Sequence, residues 1–162
     1  MDNLTWCIRN KSGIQLIEQN SNLSEAYIEK AEESLHALKI NTDRSWKIAT
    51  AYYSMYFSLY SIMMRLGVKC EIHSCTIEFS KRLLGKYFTK NDISLLNTSL
   101  KARIDAQYYV DREVSEEQFQ KMIKNAPEFF VKCKSIASRI TENEISDIRS
   151  NLSKTIHKSM KQ

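Results

Sequence analysis

Residues 43–67 read DRSWKIATAYYSMYFSLYSIMMRLG. Ile48, Ala49, Tyr52, Tyr53, Tyr56, Phe57, Tyr60, Met63 and Met64 recur in this stretch at intervals of three and four. That spacing puts them on one broad side of a helix, and a side so wide belongs to the most buried member of a helical bundle. Asn41-Thr42-Asp43 marks the start, because a short oxygen-bearing side chain accepts from the free amides of the first turn. Gly67 marks the stop, since only glycine turns left-handed without steric cost. The spacing therefore predicts a central helix over about residues 43–66.

The flanking sequence fits around it. Ala26, Tyr27, Ala31, Leu35 and Leu38 predict a helix over about 24–40, and Ser74 and Gly85 bracket a short one at about 74–84. A fourth, about 91–111, carries the narrow stripe Ile93, Leu96, Leu100, Arg103, Gln107 and Val110. Ser115-Glu116-Glu117-Gln118 is a capping-box sequence opening a fifth, with a kink or break expected near Asn125-Ala126 because Pro127 follows. Thr141-Glu142-Asn143-Glu144 is a second capping box, opening a polar final helix over about 142–158. A further helix is expected around Ile14, Leu16 and Ile17. The predicted fold is all-α: an antiparallel up-and-down bundle of about five helices at about 22–140, with a polar C-terminal helix at about 141–162, in a single domain.

Composition agrees with that class. With 43% apolar and 27% charged residues in 162, the chain has the usage of one globular domain rather than of a disordered chain. Three Gly and one Pro are far below the usual combined share of about 12%, and sheet proteins spend those residues at their turns. No apolar run approaches the roughly 20 residues of a membrane span, and Met1–Trp6 lacks the regions of a signal peptide. A cytoplasmic protein with no membrane partner is expected. Cys7, Cys70, Cys75 and Cys133 are scattered without a CxxC pair, so reduced thiols are expected. Cys70, His73 and Cys75 fall short of the four ligands of a structural zinc site, and neither a metal nor a cofactor is expected.

Charge is uneven. Residues 1–40 carry 4 basic and 6 acidic side chains, residues 41–112 carry 11 and 6, and residues 113–162 carry 9 and 7. The positive excess in the middle third includes Lys81, Arg82, Lys86, Lys90, Lys101 and Arg103 and suits a phosphate-bearing partner.

Arg103 is the anomaly. It shares a stripe with Leu96 and Leu100, and a half-buried guanidinium is costly unless its donors are paired. One reading is an arginine that snorkels to solvent or pairs with Asp105, Glu113 or a carboxylate elsewhere. The other is an arginine held in a groove for bidentate binding of phosphate. Helical rotation lets Tyr108 flank that groove and turns Tyr109 away. Tyr52, Tyr56 and Tyr60 form a ladder whose usual fate is core packing, with hydroxyls that still need polar partners. His73 is expected to cap or pack, and none of the three histidines lies near Arg103 along the chain. No glycine-rich phosphate loop, HExxH or Gly-x-Ser-x-Gly is present. The candidate binding residues are Arg103, Gln107, Tyr108, Lys101, Tyr52 and Tyr56, and the candidate catalytic residues are Arg103, Asp105 and Tyr108.

Taken in order, Ala51-Tyr52-Tyr53-Ser54-Met55-Tyr56-Phe57, Lys69–Ser74, Phe79, Gly85-Lys86-Tyr87-Phe88, Ala102–Tyr109 and Val114–Glu117 resemble the HEPN domains (higher eukaryotes and prokaryotes nucleotide-binding). The resemblance spans about residues 22–140. It implies a helical bundle that forms a homodimer, often beside a minimal nucleotidyltransferase in toxin–antitoxin or defence modules. It also implies metal-independent ribonuclease activity in many members, through an arginine followed four to six residues later by a histidine. Here Arg103 matches that arginine, while Gln107, Tyr108 and Tyr109 stand where the histidine would be. Tyrosine, with a pKa near 10, is a poor substitute for imidazole as a proton shuttle near neutral pH. Three readings stay open. The chain is a non-catalytic or weakly catalytic component that binds RNA, a nucleotide or a nucleotidyltransferase. Alternatively it is a ribonuclease toxin using Arg103 with Tyr108 or Asp105, or else a plain interaction bundle.

Overall fold

A computed structural model describes residues 3–161. In chain order the elements are α1 (Asn3–Arg9), β1 (Gln15–Leu16), α2 (Ser21–Ile40), α3 (Arg44–Leu66), β2 (Val68–Lys69), α4 (His73–Leu83), α5 (Lys90–Tyr108), α6 (Glu116–Arg139) and α7 (Glu142–Met160). The fold is an all-α bundle around α3, which packs against α2, α5 and α6. Tyr52, Met55, Leu59, Ile62, Met63 and Leu66 of α3 are fully buried. Its small polar residues fit the same core by bonding back along the helix. Ser54, Ser58 and Ser61 donate to carbonyls one turn earlier, and Ser24 of α2 donates to the Ser61 carbonyl at 2.8 Å. Asp43 accepts from the Trp46 amide and Gly67 closes α3 at φ 69°, both as the sequence predicts.

The N-terminal segment departs from expectation. Instead of a helix through Ile14–Ile17, the chain forms α1 and then an extended strand, with Gln15 opposite Lys69 and Leu16 opposite Val68. Gly13 permits this, because the Ile14 amide bonds the Cys7 carbonyl at 3.0 Å and a Cβ on Gly13 would fall inside that carbonyl. The expectation of four reduced thiols is also corrected. Cys7 and Cys75 form a disulfide that ties α1 to the first turn of α4, while Cys70 and Cys133 are free and buried. Two thiols 68 residues apart in sequence carry no spacing signal.

Three helix ends differ in detail. Helix α4 starts at His73 rather than Ser74 and has no side-chain cap; its entry is fixed by the disulfide and by Glu71 bonding the Ser12 carbonyl at 2.8 Å. Helix α5 stops at Tyr108 rather than about 111, leaving Val110 outside the stripe and fully exposed. Arg112 folds back to Asp105 at 2.9 Å and ends it there. Helix α6 runs unbroken through Pro127. Met122, Ala126, Phe129, Phe130 and Cys133 are buried on both sides of the proline, and that burial outweighs a lost backbone bond of about 3 kcal/mol. Ser115 accepts from the Gln118 amide, while the buried Gln118 Nε2 finds no partner among the described residues, so the capping box there is only half made.

The final helix docks. Thr141 and Glu144 complete their capping box, and Ile145, Ile148 and Leu152 are buried. Arg149 Nη1 donates to the carbonyls of Ile17, Leu66 and Gly67 at 3.0, 2.7 and 3.0 Å. Arg9 of α1 reaches the Ser159 carbonyl. Among the described residues no helix is long and apolar enough to cross a membrane.

Candidate functional site

Helices α3, α4 and α5 bring one polar cluster together on the side of the bundle. Helix α3 supplies Tyr52, Tyr53 and Tyr56, α4 supplies His73 from its first residue, and α5 supplies Arg103. The ladder residues Tyr52 and Tyr56 are stacked 5.9 Å apart. His73 lies flat on Tyr56, with centroids 4.0 Å apart and planes 3° from parallel. Its Nδ1 is 2.6 Å from Tyr52 Oη. Tyr53, one residue off the ladder, accepts a hydrogen bond from Arg103 Nη2 and meets His73 edge-on at 6.3 Å.

Arg103 is half-buried. Its guanidinium carbon sits 5.1 Å from the Tyr53 ring centroid and 5.3 Å from that of Tyr108. Neither a carboxylate at ion-pair distance nor a partner for its buried Nε exists among the described residues. The electrostatics follow from burial. Desolvation first, then the neighbouring phenols, keep Tyr52 and Tyr56 protonated far above the ordinary phenol range. Burial, reinforced by the Arg103 charge, holds His73 below the ordinary imidazole value.

The other candidates fall elsewhere. Asp105 is buried and binds Lys101 at 2.5 Å and Arg112 at 2.9 Å, on the opposite side of α5 from Arg103. Those two hydrogen bonds hold its carboxyl below the usual range. Lys101 is committed to the same pair. Gln107 and Tyr108 line a cleft of about 990 Å³ with Arg44, Ser45 and Ile48 of α3 and the loop before α6. Arg44 there is paired with Glu116 at 2.6 Å. Tyr109 turns from Arg103 and stacks under Arg112 at 3.6 Å. Tyr60 donates nothing to the cluster and accepts from the Cys70 amide at 3.1 Å.

Sequence reasoning missed Tyr53 and His73 as members of the cluster. Tyr53 sits about 100° from Tyr52 around α3, outside the ladder that drew attention. His73 is 30 residues before Arg103, a separation that periodicity within one helix cannot bridge. The available signal was the position of His73 next to a helix start beside a tyrosine-rich helix.

A family model described as HEPN domain matches residues 24–136 of the chain. No curated protein matches it.

Proposed function

Because this chain belongs to the HEPN domain family, we propose that it binds RNA or a nucleotide at the Arg103 side of the bundle, without efficient cleavage. The observation that carries this reading is the state of Arg103: a half-buried guanidinium between two tyrosine rings, with no carboxylate partner among the described residues. Leaving such a group unpaired costs stability, and a guanidinium fork matches phosphate oxygens. Tyr108 beside it is 65% exposed, which leaves a ring face for an unpaired base. The absence of a carboxylate suits an anionic ligand.

Binding is favoured over cleavage by the two proton carriers that the ribonuclease reading would need. Asp105 is held away by Lys101 and Arg112, and tyrosine as a residue type is a poor proton shuttle near neutral pH. The same proposal takes the protein as a cytoplasmic homodimer in a toxin–antitoxin or defence module, with a minimal nucleotidyltransferase as partner. The family resemblance supports that part.

The test pairs fluorescence-anisotropy binding of a single-stranded RNA with a gel assay of structured RNA cleavage in excess chelator, each run on wild type and Arg103→Ala. Binding without turnover, weakened about tenfold or more in the variant, is the expected result. Cleavage that vanishes in Arg103→Ala would instead establish the ribonuclease. Ligand binding untouched by the substitution would leave an interaction bundle.

A further inference from the structure

We propose that His73 is the second phosphate-holding residue of this site, presenting its Nε2–H beside the Arg103 guanidinium to a phosphate oxygen of a nucleotide or RNA chain; the inference rests on the binding function just proposed.

Protonation follows from the hydrogen bonds. Tyr52 is buried, and its hydroxyl has one hydrogen-bond partner among the described residues, His73 Nδ1 at 2.6 Å. A buried hydroxyl that gave up this acceptor would leave its proton unsatisfied. Tyr52 therefore donates, and Nδ1 accepts. An imidazole that accepts at Nδ1 carries its single proton on Nε2 when neutral. That N–H has no partner among the described residues, and His73 is only half-buried. The ring cannot swing to find one internally, because Tyr56 stacks flat on it and Tyr53 closes its edge. Tyr53 also receives the Arg103 hydrogen bond, so one phenol sets the spacing between the two donors of the site.

The arrangement has a chemical consequence. A neutral imidazole with its proton on Nε2 donates a hydrogen bond but offers no lone pair there to take a proton from a ribose hydroxyl. The same bond from Tyr52 that aims His73 thus makes the site a holder of phosphate rather than a base. The missing imidazole of the Arg-x4-6-His pattern is supplied from another helix, in a tautomer suited to binding.

The experiment uses the full chain labelled with ¹⁵N-histidine. Long-range ¹H–¹⁵N spectra are expected to show a pyridine-like Nδ1 and a pyrrole-like Nε2 for His73, assigned by their loss in His73→Ala. Addition of AMP, and separately of a short single-stranded oligoadenylate RNA, is expected to move the Nε2 resonance; a response to AMP alone identifies a mononucleotide ligand, and a response to the RNA alone a chain phosphate. His73→Ala should weaken the bound probe about tenfold. His73→Gln, whose amide donor reaches the position of Nε2, should recover most of that loss. A pyrrole-like Nδ1, or binding unchanged in a folded His73→Ala protein while Arg103→Ala abolishes it, overturns the role of His73 alone. Binding unchanged in Arg103→Ala overturns the parent reading and this one together.

Discussion

His73 lies face to face on Tyr56, their ring centroids 4.0 Å apart, at the point where the first residue of α4 meets the middle of α3. Stacking of this kind shields the imidazole from water, and the neighbouring Arg103 charge adds to the cost of protonating it. The folded state therefore binds the His73 proton less readily than the unfolded chain, whose value is 6.5. Stability from this group is fully present above pH 6.5 and is lost as pH falls below it. Urea unfolding at about pH 7.5 and about pH 5.5 should show a drop in wild type that is smaller in His73→Gln. An equal drop in both proteins would assign the acid sensitivity elsewhere.

Arg103→Ala should leave stability within about 1 kcal/mol of wild type. It removes the hydrogen bond to Tyr53 and two cation–π contacts worth roughly 0.5–1 kcal/mol each, and it relieves a buried Nε that has no partner among the described residues, a group whose desolvation costs about 1–3 kcal/mol. The two effects oppose one another. A loss near 3 kcal/mol in thermal unfolding would mark Arg103 as a structural anchor.

Cys7 and Cys75 close a loop of 68 residues, for which chain entropy predicts a stabilisation on the order of 4 kcal/mol. Thiol titration of the denatured, unreduced protein should find only Cys70 and Cys133. Reductant should lower the melting temperature of wild type and leave Cys7→Ser unaffected. Four reactive thiols before reduction would show the bridge to be absent.

Gly67→Ala should be among the most damaging single substitutions. A left-handed backbone at φ 69° costs a residue with a Cβ about 1–2 kcal/mol. The added atom would also lie 2.3 Å from Arg149 Nη1 and 2.6 Å from the Ile17 carbonyl. Arg149 must then withdraw, and the urea midpoint should fall well below that of Arg149→Ala if the backbone strain contributes separately.

Periodicity made the core of this protein readable. The broad apolar side of residues 48–64 specified α3 and the bundle around it, and Asp43, Gly67, Ser115 and Thr141 marked real helix ends because caps are local chemistry. What stayed hidden depends on contacts between distant segments. The strand at Gln15-Leu16 exists because Val68-Lys69 lies beside it, and the disulfide because α1 folds over α4. Arg103 stood out as a charge on an apolar stripe, yet its companions Tyr53 and His73 come from other helices. Asp105 looked equivalent to Arg103 in sequence and is separated from it by half a helical turn.

Arg149 gathers carbonyls from three places, at Ile17, Leu66 and Gly67, so the end of the central helix is sealed by a side chain from outside the family-matched stretch of residues 24–136. Similarity and cooperativity thus draw different borders on this chain. Evolutionary recognition stops at residue 136, whereas the keystone of the arch arrives thirteen residues later. A fragment trimmed to the recognisable part would keep the motifs of residues 51–117 and lose its lock: the Leu66 and Gly67 carbonyls would turn to solvent and the apolar seat of Ile145, Ile148 and Leu152 would open. Such a piece should come out of cells aggregated, although nothing belonging to the candidate site had been removed.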